Sequence, residues 1–82
     1  MSPRSETNDP ALKALAQAIV TLRRERSLTQ EELGSRAEIH PTWISHVESG
    51  RVNPTFLNVV RISRGIGVSP ADLVRLAEEL ER

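Results

Sequence analysis

The stretch Thr29 to Gly50, TQEELGSRAEIHPTWISHVESG, constrains this chain more than any other, because it reads as two short helices joined by a tight turn. Thr29 is followed three residues later by Glu32, the capping-box arrangement in which hydroxyl and carboxylate satisfy each other's free backbone N–H groups at a helix start. Leu33 and Ala37 share that helix's inward face, with Gly34 beside them, where a small residue lets a second helix come close. His40-Pro41 opens the next helix, since proline suits the first helical position and pushes the residue before it out of α conformation. Ile44 and Val47 then face inward, while Thr42, Ser45, His46 and Ser49 follow i, i+3, i+4 and i+7 on the opposite side. That side carries donors and acceptors and no aliphatic residue, so it is made to be shown to a partner.

The flanks supply further helices. Asp9 and Pro10 give an N-cap followed by a first-turn proline, and Leu12, Leu15, Ala16, Ile19 and Leu22 keep a helical stripe, which predicts a first helix from about Pro10 to about Arg26. Beyond the Arg51 to Pro54 loop, Thr55 can cap a fourth helix through about Gly65, with Leu57 (or Phe56), Val59, Ile62 and Ile66 as inward residues and Gly67 placed to end it. Ser69-Pro70 repeats the cap-plus-proline signature and opens a fifth helix through about Glu81, whose Leu73, Leu76, Ala77 and Leu80 fall within one stripe. The expectation is an all-α, five-helix domain over residues 9–82, preceded by a polar, disordered arm at residues 1–8. Arg4 in that arm could enter a minor groove or simply fray.

Charge and composition narrow the partners. Eleven basic and eleven acidic residues cancel, which argues against a non-specific polyanion binder. The sum hides an asymmetry, with Arg23, Arg24, Arg26, Arg36, Arg51, Arg61 and Arg64 in the middle and Glu78, Glu79 and Glu81 at the end. Any nucleic-acid face must therefore be local, and its non-specific affinity modest and salt-sensitive. With no cysteine, disulfides and thiolate metal sites are out of reach. The polar amino terminus carries no apolar signal region and no apolar run approaches a membrane span, which makes the cytoplasm the expected compartment.

The central segment resembles the helix-turn-helix of the lambda-repressor and Cro family. The resemblance rests on Gln30, Gly34, Ala37, Ile39, Ile44, Val47 and the Glu48-Ser49-Gly50 ending, and extends through Asn53-Pro54-Thr55 to Gly67-Val68, covering roughly residues 15–70. Two positions depart from it. Glu38 stands in the turn where the family usually has glycine, at a cost of roughly 1 kcal/mol if the backbone there is left-handed. Ser27 stands where the family often has glycine after the first helix.

The resemblance implies sequence-specific duplex recognition by a homodimer on a two-fold related operator. Pro41, Thr42, Ser45 and His46 match the family's base-facing residues. Gln30 matches a glutamine that holds a phosphate and braces the next helix, and Arg51 and Asn53 match loop positions near the backbone. Trp43 lies between the inward and outward faces, where its ring could lie along the sugar-phosphate edge, pack partly into the core, or both. Many relatives pair an arginine at the position of Arg23 with the glutamate matching Glu48. Four helices already enclose the core in this family, so the fifth helix's stripe is read as a dimer surface formed by Val68, Leu73, Leu76, Ala77 and Leu80, with Val68 and Leu73 nearest the core. The alternative is that the fifth helix packs back on the first.

The length, the added fifth helix and the Thr42-Trp43-Ile44-Ser45 run suit the controller proteins of restriction-modification systems, which both activate and repress; phage-type repressors and antitoxins share the same features. An activator would also meet RNA polymerase. No cofactor, small-molecule ligand, metal or membrane partner is expected: His40 and His46 project from different sides of their segment, and Ser45 next to His46 does not converge on a cleft with a carboxylate. Binding rather than catalysis is the expected activity. The rival is a protein-interaction module of the same fold, which neutral charge and a second motif helix without arginine would suit. His46, if protonated, would tighten duplex binding near pH 6; as a neutral imidazole it would act only by hydrogen bonding.

Overall fold

The computed structural model describes residues 9–82, so the readings of residues 1–8, Arg4 included, lie outside the described residues. Five helices follow one another: α1 Pro10–Glu25, α2 Gln30–Ala37, α3 Pro41–Glu48, α4 Phe56–Ile66 and α5 Pro70–Glu81. Each begins at a side chain that accepts a hydrogen bond from a free backbone N–H. Asp9 accepts from Ala11 N at 2.8 Å, Thr55 from Asn58 N at 3.1 Å and Ser69 from Asp72 N at 3.0 Å. At α2 the capping box is complete, with Glu32 N donating to Thr29 Oγ1 at 3.0 Å and Thr29 N to Glu32 Oε1 at 2.8 Å. Those two Thr29 bonds, the backbone one foremost, hold the Glu32 carboxyl below its ordinary value. His40 caps α3 in an unexpected way, its ring Nδ1 accepting from Thr42 N at 3.1 Å.

The core is aliphatic. Ile19, Leu33, Ile44, Val47, Ile62, Ile66 and Leu73 are its largest fully buried apolar side chains, so every helix contributes to it. α1 packs most extensively on α5, and α2 on α4. The second of these contacts depends on Gly65, where an added Cβ would lie 3.0 Å from Leu33 Cδ1 and 3.2 Å from Ala37 Cβ. Gly34 serves the turn instead: a Cβ there would sit 2.5 Å from the Ile39 carbonyl oxygen, so only glycine lets the chain fold back this closely toward α3.

Two expectations are corrected. The stripe of α5 is shared rather than wholly free: Leu73 and Ala77 are taken up by packing within the chain, which brings α5 against α1, while Val68, Leu76 and Leu80 keep surface for a second copy. Leu73 and Ala77 are buried within the chain, Val68 and Leu76 are half-buried, and Leu80 is 38% exposed. On α4, Ile62 and Ile66 face inward, but Leu57 and Phe56 are 53% and 79% exposed and Val60 and Ser63 are buried in their place. In the first turn of α4 Val59 packs against the core, and Phe56 and Leu57 are left to solvent.

Both departures from the family's glycines adopt the left-handed conformation. Ser27 has φ 56°, and Leu28 N reaches back to Arg23 O at 3.1 Å, closing α1 as a Schellman motif does. Glu38, at φ 59° and ψ 43°, closes α2, with Ile39 N donating to Gly34 O at 2.9 Å. Replacing the exposed Glu38 by glycine relieves this strain, less the greater freedom glycine has in the unfolded chain. Glu38→Gly is expected to raise the unfolding free energy by about 0.5–1 kcal/mol in urea denaturation. A loss of stability would mean that the Glu38 side chain contributes more than the strain costs.

Candidate nucleic-acid interface

An eight-residue helix is too short to persist in isolation, so α3 depends on what it is fastened to. Its inward side is held by Ile44 and Val47, which are 0% and 2% exposed. Its last residue is held by charge. Arg23 of α1 donates from Nε to Glu48 Oε2 at 2.7 Å and from Nη2 to Glu48 Oε1 at 3.0 Å, a two-pronged pair whose side chains are only 10% and 6% exposed. Arg23 Nη1 also donates to the Leu28 carbonyl at 2.7 Å, and Gln30 Nε2 donates to Glu48 Oε1 at 2.9 Å. The Glu48 carboxylate thus ties α1 and the start of α2 to the end of α3, and Arg23 adds the α1–α2 connection. Its hydrogen bonds hold the Arg23 guanidinium above its ordinary value, against the opposing effect of burial.

Fixing the inner side leaves the outer side free. Thr42, Ser45, His46 and Ser49 are all exposed, and Pro41 is half-buried at the first helical position. Trp43 is half-buried, packs against the core cluster, and meets the His46 ring edge-on, with centroids 5.9 Å apart and planes at 73°. Beyond α3 the chain turns through Ser49, whose hydroxyl donates to His46 O at 2.5 Å, and Gly50 at φ 79°, where a Cβ would stand 3.3 Å from Lys13 Cα. This seats the following loop against α1 and leaves Arg51 and Asn53 exposed just past the outward face.

Chemically the arrangement is a protruding rod of short donors and acceptors backed by a rigid core, with a cation next to it. Hydroxyls at Thr42 and Ser45 can donate or accept, and the Thr42 methyl suits an apolar contact. Among the described residues no three His, Asp or Glu side chains converge to hold a metal ion, and no helix is long and apolar enough to cross a membrane. The bond from Gln30 to Glu48 is the bracing of the next helix that the resemblance implied, whereas sequence reasoning missed two features: the His40 ring as cap and the Trp43–His46 contact. The last had a signal in the i, i+3 spacing of two rings. The Gln30 bond joins residues 18 apart and has no local signal.

Comparison with known proteins places this geometry. The helix-turn-helix domain family matches residues 14–77. An uncharacterised HTH-type transcriptional regulator, y4dJ of Sinorhizobium fredii, is 36% identical over 67 residues, spanning 82% of this chain and 87% of that protein. Control protein C.BamHI of Bacillus amyloliquefaciens is 38% identical over 48 residues, which are 58% of this chain and 59% of its own. Among solved structures, the restriction-modification controller protein C.Esp1396I, crystallised as a tetramer in complex with its natural 35 base-pair operator, superposes with a TM-score of 0.81 at 25% identity, covering 87% of this chain and 93% of that one.

The buried pair sets a stability expectation. Removing one partner strands a charge that cannot reach water, which costs about 3 kcal/mol or more, whereas exchanging both for apolar residues of similar volume costs far less. Urea denaturation is expected to show Glu48→Ala and Arg23→Ala each destabilised by about 3 kcal/mol, and Arg23→Met with Glu48→Leu closer to the parent than either. Single variants within about 0.5 kcal/mol of the parent would mean that the pair holds nothing.

Proposed function

The chain belongs to the helix-turn-helix domain family, and on that premise we propose that it is a sequence-specific DNA-binding transcriptional regulator acting as a homodimer on a two-fold related operator. One observation carries the reading: α3 is fastened from behind by the core and the Arg23–Glu48 pair, and presents outward a row of side chains suited to base edges. Pro41, Thr42, Ser45 and His46 take the major groove. Gln30, Trp43, Arg51 and Asn53 take the phosphates on either side, Gln30 with the amide hydrogen not given to Glu48. The face has no arginine to grip guanine with two bonds, so discrimination per base pair lies toward the low end of about 1–3 kcal/mol and draws also on DNA shape. The activity is binding, without catalysis, and its compartment is the cytoplasm.

The relatives support a finer reading as an autoregulating controller of a restriction-modification system, since control proteins are among them and the operator-bound tetramer shares the fold. In that role the protein meets RNA polymerase where it activates, and its response follows its own concentration through dimerisation.

Selection from a random pool of duplexes at physiological salt is expected to yield a two-fold consensus with half-sites about 34 Å apart, bound roughly a thousandfold more tightly than unrelated DNA. Thr42→Ala and Ser45→Ala are expected to change the consensus. Arg51→Ala is expected to weaken binding to every sequence and to lower the salt slope by about one. No enrichment would turn the reading toward a protein-interaction module, which the zero net charge also suits.

Self-association falls to apolar side chains that folding leaves uncovered. Phe56, Leu57, Val74 and Leu80 are the exposed ones, with the half-buried Val68 and Leu76 adding to them, while the buried Leu73 and Ala77 support the face from beneath. Leu57→Asp is expected to raise the dimer dissociation constant by about tenfold or more in sedimentation equilibrium, the loss of one buried leucine. An unchanged constant would remove the start of α4 from the dimer surface.

A further inference from the structure

The outward face of α3 combines side chains of two kinds. Thr42 and Ser45 are short, and one side-chain torsion sets where each hydroxyl oxygen lies. His46 is exposed, longer, and carries a different atom on each side of its ring, so which of them meets a base depends on how the ring is turned. Its partner in the edge-on contact, Trp43, is one helical turn earlier, half-buried and packed on the core. The indole therefore links the most rigid part of the molecule to the reading side chain with the most freedom.

We propose that Trp43 is a positioning residue for base reading: its core-anchored indole fixes the His46 imidazole in the orientation from which it meets a base edge. Discrimination at that base pair depends on Trp43 although the indole itself touches no base. The physical reason is pre-organisation, since a side chain already ordered in the free protein loses less freedom when it binds, and loses it equally little only for the base its orientation suits. The inference rests on the DNA-binding reading above and gives Trp43 a role beyond any contact to phosphate. A phosphate contact strengthens binding to all sequences alike, whereas a positioning contact changes the ratio between sequences.

The test uses the full chain on two duplexes, the selected consensus and the same duplex altered at the base pair whose preference His46→Ala abolishes. The parent is expected to discriminate by about tenfold. Trp43→Leu, which keeps apolar bulk without a ring, is expected to bring this within about twofold, and Trp43→Phe, which restores a ring, to retain most of it. Adding His46→Ala to Trp43→Leu is expected to change the ratio no further, a non-additivity that marks the pair as coupled. Because Trp43 is the sole tryptophan, its emission in the free protein reports the contact directly and is expected to change in His46→Ala.

A tenfold ratio kept by Trp43→Leu, an equal loss on both duplexes, strictly additive effects, or unchanged emission in His46→Ala would each overturn the inference. So would a His46→Ala protein with every base preference intact. Should Trp43→Leu fail to fold, the comparison of Trp43→Phe with and without His46→Ala decides, coupling supporting the inference and additivity overturning it. If the parent retains no duplex at all, the DNA-binding reading itself fails; if it selects a consensus and the pair is additive, only the role of Trp43 does.

Discussion

The Glu48 carboxylate is the point on which the arrangement of the first three helices depends. Its two oxygens accept three hydrogen bonds, two from Arg23 and one from Gln30, and Arg23 gives a further bond to the Leu28 carbonyl. A buried ion pair is a poor source of net stability, because desolvation offsets most of the attraction. Its effect here is geometric. Apolar contacts through Ile44 and Val47 would allow α3 to roll or slide by small amounts at little cost, whereas a planar guanidinium set against a planar carboxylate admits one register. The angle at which the outward face leaves the molecule is set at this pair.

The turn between α2 and α3 shows what that register costs elsewhere. To bring α3 across α2, the chain reverses within Glu38 to His40, putting the Ile39 carbonyl where a side chain at position 34 would otherwise stand. Gly34 removes that obstacle. At Glu38 the backbone is left-handed with a side chain present, so a small strain persists that the contacts on either side outweigh. A similar economy of space occurs on the far side of α2, where Gly65 admits Leu33 and Ala37 against the backbone of α4. Glycine lowers the local helix propensity of α4 there, and close packing compensates.

Legibility in the sequence followed the range of the interaction. Caps and first-turn prolines act over two to four residues, so the starts of all five helices could be read at Asp9-Pro10, Thr29, His40-Pro41, Thr55 and Ser69-Pro70. The two faces of α3 were also legible, since 3.6-residue periodicity separates Ile44 and Val47 from Thr42, Ser45 and His46. Periodicity says that a face is apolar and not what covers it. Periodicity alone therefore cannot divide the α5 stripe between the Leu73 and Ala77 that folding buries and the Leu80 left in solvent, nor tell that Leu57 is exposed while Val60 is buried. The Gln30–Glu48 bond depends on the crossing of two helices, which no local pattern encodes.

A chain with no net charge must earn its hold on a polyanion by placement rather than by field. The fold supplies that placement by giving each side of α3 a single task. The inner side is aliphatic and closed by one buried ion pair, so it offers no alternative seat; the outer side is free of aliphatics, so no apolar contact competes for it. Trp43 stands on the border between them, sharing its surface between the core and His46. Rigidity generated by packing can therefore pass through that one ring to a side chain in solvent. Where long-range attraction is weak, selectivity depends on how little the reading side chains must reorganise on contact, and that quantity is set behind the face rather than on it.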